Sequence, residues 1–446
     1  MSEQIRNTKD YYLRKLELVA YNGKGYDVSA LRGNLLIYED IFSPIMTAEL
    51  ELTDTMDMAT LFPFIGEEKV RVIFTKQDPE SPSGGYLDDV SLEFDVFKVT
   101  GRTVMNTKTQ NYVLHLLSSE AMKSYKTRIF KSWKKVKYSE MAQNIFDDNI
   151  KITRPIKIEE TQGEFDMVIG NKNPLEAINM LASRSLPTGS TSGKKHTPPV
   201  LFYEDRDGFN FVSLDSLLLK SPSQTFTRRI ANERDPKTNS QNIDKAYKAI
   251  EFIDWVGWWD TMRLMDMGFY GQEAILLDPI QRKFTKKEFK ISTDWGKMNT
   301  LEKEKVFTDS NQLLDATMAH RKLVYTNQGI EALSPDETST NIESYLLERT
   351  SKLAQMFHTR FSMSIAGDPR RKVGEVLKLE LPEEAGDVDE NRPEKPNRYY
   401  YGNYLAIAMK HHISFSAYTI DVELARDSFY QEIEHEDPIE RYKNSV

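Results

Sequence analysis

The sequence predicts a mostly β, α+β chain, with an antiparallel β-domain near each end and a small α/β domain between them. Three observations carry this. Segments such as TAELELTD (47–54) and KVRVIF (69–74) alternate apolar and polar residues with the period of a half-buried strand. The order glycine turn, strand, polar loop, hairpin occurs twice, over Gly66–Glu120 and Gly374–Ser428. Between these copies the apolar spacing changes to that of helices, over 138–149 and 173–185.

Lys15–Tyr26 reads as a strand ending in a tight reversal at Gly23-Lys24-Gly25. Leu35–Asp40, Ile45–Asp54 and Gly66–Phe74 follow as strands. Ser81–Gly85 is a loop, and Ser91–Gly101 with Tyr112–Leu117 forms a hairpin. The first 120 residues are therefore expected to form an antiparallel barrel, closed or nearly closed. Tyr138–Asn149 carries Met141, Ile145 and Phe146 at helical spacing, with Ser139 as the expected N-cap. Asn173–Ser185 has Pro174 just inside its start and Leu175, Ile178 and Leu181 on one face. Leu186–Pro199 reads as a loop, and Val200–Leu219 as a hairpin about Asp207-Gly208.

From Ile243 the pattern predicts a strand and then a tryptophan-rich helix (Trp255, Trp258, Trp259, Met262, Leu264, Met265). The strands Gly268–Asp278 and Phe284–Ile291 come next. Ser292–Asn341 is polar and weakly periodic and reads as an excursion. Ile342–Phe357 is helical, Phe361–Ile365 is a strand, and Val373–Ser428 is a strand, an acidic loop and a hairpin. The implied division is 8–120, 121–220, 221–291 with 342–430, an excursion at 292–341, and a tail at 431–446. GEEKVRVIF aligns with GEVLKLELP, which is compatible with duplication, but antiparallel β-domains share such spacing and the pattern alone leaves this open.

A chain of 446 residues with 39% hydrophobic residues can bury several cores. No apolar run approaches the roughly 20 residues of a membrane span, and the polar N-terminus does not resemble a signal peptide, so a soluble protein without membrane insertion is expected. The absence of cysteine removes disulfides, thiolate metal sites and cysteine nucleophiles together. A net charge of −9 argues against general binding to phosphate backbones, which needs clustered Lys and Arg.

No arrangement for catalysis, metal or cofactor emerges, and none of these site classes receives a residue. His411 and His412 are adjacent on a strand, point to opposite faces and cannot chelate one ion together. Gly23-Lys24-Gly25 lacks the spacing and the following helix of a phosphate loop. Glu383, Glu384, Asp387, Asp389 and Glu390 lack the alternation and central glycine of an EF-hand loop, so a solvated acidic loop is expected. Trp255, Trp258 and Trp259 suit a core or a subunit seam better than a carbohydrate platform. Arg128, Lys131, Lys134, Lys135 and Lys137, interleaved with Phe130 and Trp133, suit a solvated face or a charged subunit contact better than a nucleic-acid patch.

Taken in order, Gly66–Phe74 with Tyr112–Glu120, Asn173–Ser185 followed by Phe202–Leu218, Gly268–Asp278, and above all Gly367–Pro382 with Gly402–Ser428 resemble one family. It is the T4-like central baseplate hub family of contractile-tailed bacteriophages, whose relatives include the N-terminal part of type VI secretion spike proteins. The resemblance implies two similar antiparallel β-barrel, tube-like domains with an inserted α/β domain.

It further implies a non-enzymatic homotrimer whose six barrels form a pseudo-sixfold ring, adapting a trimeric central spike to a hexameric tail tube or tube-initiator protein beside the baseplate wedge proteins. Genomic DNA would pass through the channel without specific binding. The protein would be a virion component of the phage tail baseplate, made in the host cytoplasm. Ser292–Asn341 and the Asp387–Pro396 loop depart from the simplest form of the family.

The hairpins 97–117 and 405–424 are the expected contact surfaces. The candidates for tube or subunit contact are Phe97, Val99, Tyr112, Leu114, Leu405, Ile407, Tyr418, Ile420 and Val422. The alternatives are the hub of another contractile injection machine and a tail-associated enzyme that degrades cell walls. The second would require a pair of carboxylates about 5 to 9 Å apart.

Overall fold

The computed structural model describes residues 8–58, 64–78, 85–106, 109–191, 193–228, 247–258, 260–279, 282–315, 320–325, 342–382 and 396–434. The first seven strands are β1 (Tyr12–Val19), β2 (Gly25–Asp27), β3 (Arg32–Asp40), β4 (Thr47–Asp54), β5 (Lys69–Thr75), β6 (Val90–Asn106) and β7 (Thr109–Ser118). Their alternation works as the sequence predicts: Ala48, Leu50 and Leu52 of β4 point inward and are buried, while Glu49 and Glu51 stay at the surface side. Each fully buried leucine contributes about 1.5–3 kcal/mol relative to an exposed one, so the alternation fixes which face turns inward.

The middle of the chain holds α1 (Ser119–Tyr125), β8 (Ile129–Val136), α2 (Tyr138–Asn149), β9 (Ile156–Ile158), β10 (Phe165–Lys172), α3 (Pro174–Arg184), β11 (Ser190–Thr191), β12 (Lys194–Lys195), β13 (Val200–Asp205), β14 (Gly208–Ser213) and α4 (Leu214–Leu218). The start of α3 is as expected. Asn173 caps it, accepting from the Glu176 N–H at 2.8 Å, and Glu176 reaches back to complete a capping box. Ser139 does not cap α2; Lys137 holds the cap position, and Ser139 and Thr161 instead exchange backbone-to-hydroxyl bonds of 3.0 and 3.3 Å. A serine competes for whichever backbone group lies nearest, here one brought in by a distant loop.

The remainder holds β15 (Gln224–Arg228), β16 (Ala249–Trp258), α5 (Thr261–Asp266), β17 (Gly271–Asp278), β18 (Lys283–Lys290), α6 (Ile291–Asp294), β19 (Arg321–Tyr325), α7 (Ile342–Gln355), β20 (Thr359–Ala366), β21 (Val376–Glu380), β22 (Gly402–Ile413) and β23 (Tyr418–Arg426). Two expectations change here. Trp255 and Trp258 lie on strand β16 and only the short α5 beyond them is helical; Trp259 lies outside the described residues. Aromatic residues fit a pleated surface as well as a helix, so composition did not separate the two.

Within the polar stretch 292–341, residues 292–315 contribute to a packed core, while 321–325 form the largely exposed strand β19. Trp295, Met298, Val306, Phe307 and Leu314 are buried in a core with Phe269, Tyr270, Phe289 and Leu347, beside the small sheet β18-β17-β19. Their irregular spacing hides them from any periodic pattern. The acidic residues 383–390 and the tail beyond 434 lie outside the described residues.

One thirteen-stranded sheet carries both ends of the chain. Within it β22-β21-β15-β16-β20-β23 returns to β22 and closes a six-stranded barrel. Among the described residues its shortest seam is the parallel β15·β16 pair, which meets at Thr227–Ala249 and Arg228–Ile250. The N-terminal strands run β1-β5-β6-β7-β4-β3, and β3 then pairs with the far half of β22 from Leu35–Ile413 to Asp40–Ala408.

The two halves correspond strand by strand. β5-β6-β7-β4-β3 matches β21-β22-β23-β20-β16 in order, with every pairing antiparallel. One irregularity coincides as well, although β6·β7 carries two further register shifts, between Thr100 and Thr103 and between Val104 and Asn106, that β22·β23 lacks. Val96 opposes Leu116 and Ala406 opposes Leu424, and in each case one extra residue, Phe97 or Ile407, follows before the ladder resumes. The Val96 N–H donates to the Glu68 carbonyl and the Ala406 N–H to the Glu375 carbonyl, both at 2.9 Å.

Those ladders correct the alignment of the two copies by one residue. Lys69 opposes Asp95 as Val376 opposes Leu405, so Glu68 corresponds to Glu375, whereas aligning the turn glycines places it against Val376. The glycines 66 and 374 both need a left-handed backbone, with φ of +90° and +74°, but they sit at different distances from their strands. The sixth strand differs in sense: β1 runs antiparallel to β5, and β15 parallel to β21.

Candidate assembly surfaces

Of the nine residues predicted to make contacts, seven face inward. Tyr112, Leu114, Leu405, Ile407, Tyr418, Ile420 and Val422 are buried within the chain, and their side chains are not available to a partner. Val99 is half-buried against the core, and Phe97 alone is exposed. The cause is simple: choosing the apolar residues of an alternating strand chooses its core face. Surface candidates have to come from apolar residues that break the alternation.

Such residues cluster in two places. On the first, Phe97, Val104 and Met105 stand exposed along the outer half of β6, where β5 no longer covers it: the β5 ladder ends at Asp95. On the second, Phe252, Trp255 and Val256 of β16 are exposed, and the Trp255 ring packs edge-on against Tyr400 and tilted on Phe361, each at 4.3 Å. Phe130 and Val168 form a smaller exposed pair on the β8·β10 ribbon. Trp133 of the same ribbon is buried, Lys131 pairs with Asp148 at 2.9 Å and Lys137 with Glu160 at 2.5 Å, so this basic run is a partly neutralised face.

Buried charges bind the parts of the chain to one another, and sequence reasoning missed them. Arg154 pairs with Glu120 at 2.6 Å and with Glu204, whose carboxylate also takes the Met46 N–H at 2.7 Å and the Ser118 hydroxyl at 2.8 Å. Arg371 pairs with Glu375 at 2.9 Å and Asp368 at 3.3 Å. Lys352 of α7 lies 3.2 Å from Asp215 of α4 and 3.9 Å from Asp427 beyond β23. The partners of Arg154 and Lys352 are far apart in sequence, so no local motif signals them, whereas Arg371 pairs within its own turn, three and four residues away.

The seam between β3 and β22 contains Glu39 and His411. Burial pushes the His411 imidazole down to about 3, which leaves it neutral and hydrogen-bonded through Nδ1 to the Tyr418 hydroxyl at 2.8 Å. Its neighbour His412 faces the other way and meets Asn34 at 3.0 Å, as the strand geometry requires. Among the described residues no group of three or more possible metal ligands occurs.

Burial raises the Glu39 carboxyl from 4.5 to about 7, opposed by the Arg206 charge, assisted by Asp205, and opposed again by the Val373 and Arg206 N–H groups. The folded chain therefore holds a proton at Glu39 that the unfolded chain releases. Its stabilisation is complete below the ordinary carboxyl pKa and is lost as pH rises through about 7. Glu39→Gln keeps an acceptor for the Val373 N–H and is expected to remove up to ~3 kcal/mol of pH-dependent stability. Melting curves at several pH values check this; a profile for the variant that overlays the parent's contradicts it.

The fold is that of solved phage tail proteins. The tail protein from Neisseria meningitidis MC58 superposes with a TM-score of 0.51 at 11% identity, covering 94% of this chain and 98% of that one. The 43 kDa tail protein of prophage MuSo2 from Shewanella oneidensis superposes with a TM-score of 0.53 at 9% identity, covering 94% and 100%. At such identities the likeness is one of fold. No family model and no curated protein matches the sequence. No helix among the described residues is long and apolar enough to cross a membrane.

Proposed function

We propose that the chain is a structural hub of a contractile phage tail, non-enzymatic and part of the virion baseplate. Three copies form a ring of six barrel units, one face taking a trimeric spike and the other a hexameric tail tube or tube initiator, with wedge proteins around it. In this reading residues 8–120 form the first tube unit and 121–220 the insertion, and within the expected second unit, 221–291 with 342–430, the strands β15, β16 and β20 to β23 form the tube.

The observation that carries the reading is the strand-by-strand correspondence of the two halves, down to the extra residue at Phe97 and Ile407. A chain with two corresponding β-units lets threefold symmetry imitate sixfold symmetry. The fold shared with phage tail proteins supports the same placement in a tail. Three copies, each at −9, give a strongly anionic assembly, which suits a channel that DNA traverses without adhering.

Sedimentation of the full chain at high protein concentration, alone and with a co-expressed trimeric spike, tests this. A mass of three copies is expected; a mass of one copy under both conditions overturns it.

A further inference from the structure

The seam inside the chain is a template for a seam between chains. β3 of the first half covers the outer part of β22, and the ladders identify the counterparts: β16 corresponds to β3, and β6 to β22. Among the described residues each counterpart lacks the strand that covers its equivalent. Ile413 and Ile407 of β22 are 0% and 4% exposed, while Val104 and Phe97, which occupy the same places on β6, are 68% and 49% exposed. Leu35 and Ile37 of β3 are buried, while their equivalents Ile253 and Trp255 are half-buried and exposed.

The backbone is arranged in the same way. Among the described residues, β5 covers β6 only as far as Asp95, and β15 meets β16 only at Ala249 and Ile250. One cation and one anion lie close together in this arrangement, since Arg102 is exposed on β6 and Asp254 is exposed on β16. Arg102 also donates through Nε to Gln110 at 2.9 Å, which leaves its outer N–H groups available to a carboxylate.

We propose that β16 of one copy pairs antiparallel with the outer half of β6 of a second copy, in the register that repeats the β3·β22 seam. The inference rests on the ring reading and specifies its contact. Carrying over the pairs His412–Leu36 and Ile413–Leu35 places Thr103 opposite Asp254 and Val104 opposite Ile253 of the neighbouring copy. Arg102 then stands one residue from that Asp254. Because the two edges are different surfaces, the contact runs head to tail, the arrangement that closes into rings.

Since the chain has no cysteine, the register can be tested by disulfide formation between full-length single variants. Thr103→Cys and Asp254→Cys, purified separately and mixed under mild oxidation, are expected to give a covalent pair. Val168→Cys mixed with Asp254→Cys, which joins two exposed but unrelated sites, is expected to give none. Mass is measured on the same samples.

Three-copy mass with the 103–254 cross-link supports the proposal. Three-copy mass without it, as when a spike or tube protein covers these edges, overturns the proposed contact and leaves the ring standing. A mass of one copy throughout overturns the ring itself. As a second arm, Val104→Asp alters a side chain exposed in the single chain and is expected to abolish the three-copy species without shifting the melting of the separated chain. Retention of three-copy mass by this variant overturns the proposed register.

Discussion

Lys352→Met is expected to destabilise the chain by about 3–5 kcal/mol, the usual cost of leaving buried charges without their partner. Lys352 sits on α7 and is almost fully buried. Its ammonium donates to the Asn299 carbonyl and faces two carboxylates with no exposure of their own, Asp215 and Asp427. One oxygen of each carboxylate is already hydrogen-bonded. Asp215 takes the Thr197 N–H at 2.8 Å and the Asn299 amide at 3.0 Å, and Asp427 takes the Leu301 N–H at 3.0 Å.

The outer oxygens of Asp215 and Asp427 have no hydrogen bond of their own and depend on the nearby ammonium. Removing it leaves two buried anions facing each other. The three acidic and basic groups come from the α7 core, the inserted unit and the end of the second barrel, so the variant loosens a joint as well as a pair. The midpoint of chemical unfolding reads this. A loss below about 1 kcal/mol contradicts it, and adding Asp215→Asn is expected to recover part of the loss by removing one of the stranded charges.

Phe361→Ala is expected to cost about 3–5 kcal/mol through the cavity it opens in the closed barrel. Phe361 is fully buried on β20, opposite Leu424, and its ring lies 4.3 Å from Trp255, 5.4 Å from Tyr404 and 5.9 Å from Tyr400. The equivalent position in the first half is Ala48, opposite Leu116. Topology is therefore repeated while packing is not: an alanine fits at 48, and the same alanine at 361 removes the centre of an aromatic cluster. Loss of near-ultraviolet signal together with an earlier unfolding midpoint checks this, and a variant as stable as the parent contradicts it.

What could be read from the chain follows the range of the interactions. The hairpins β6–β7 and β22–β23, the Asp207-Gly208 turn and the Asn173-Pro174 helix start all depend on residues close in sequence, and local pattern found them. The β3·β22 seam joins residues at opposite ends of the chain, and only the fold brings them together. The packed core within 292–315 escaped because its apolar residues follow neither strand nor helix period. Seven of the nine contact candidates lie on the buried side for a related reason, since periodicity reports the inward face. Val104 and Ile253 become visible only when the two copies are compared residue by residue along their ladders.

The central claim is that one chain supplies two corresponding tube units to a closed ring. Imaging the full chain in its assembled form by electron microscopy, without imposed symmetry, tests it most directly. The account predicts end-on averages with six barrel-sized features around a central channel, alternating in two kinds and therefore threefold. Averages showing single chains, or an open spiral that does not close after three copies, would contradict it.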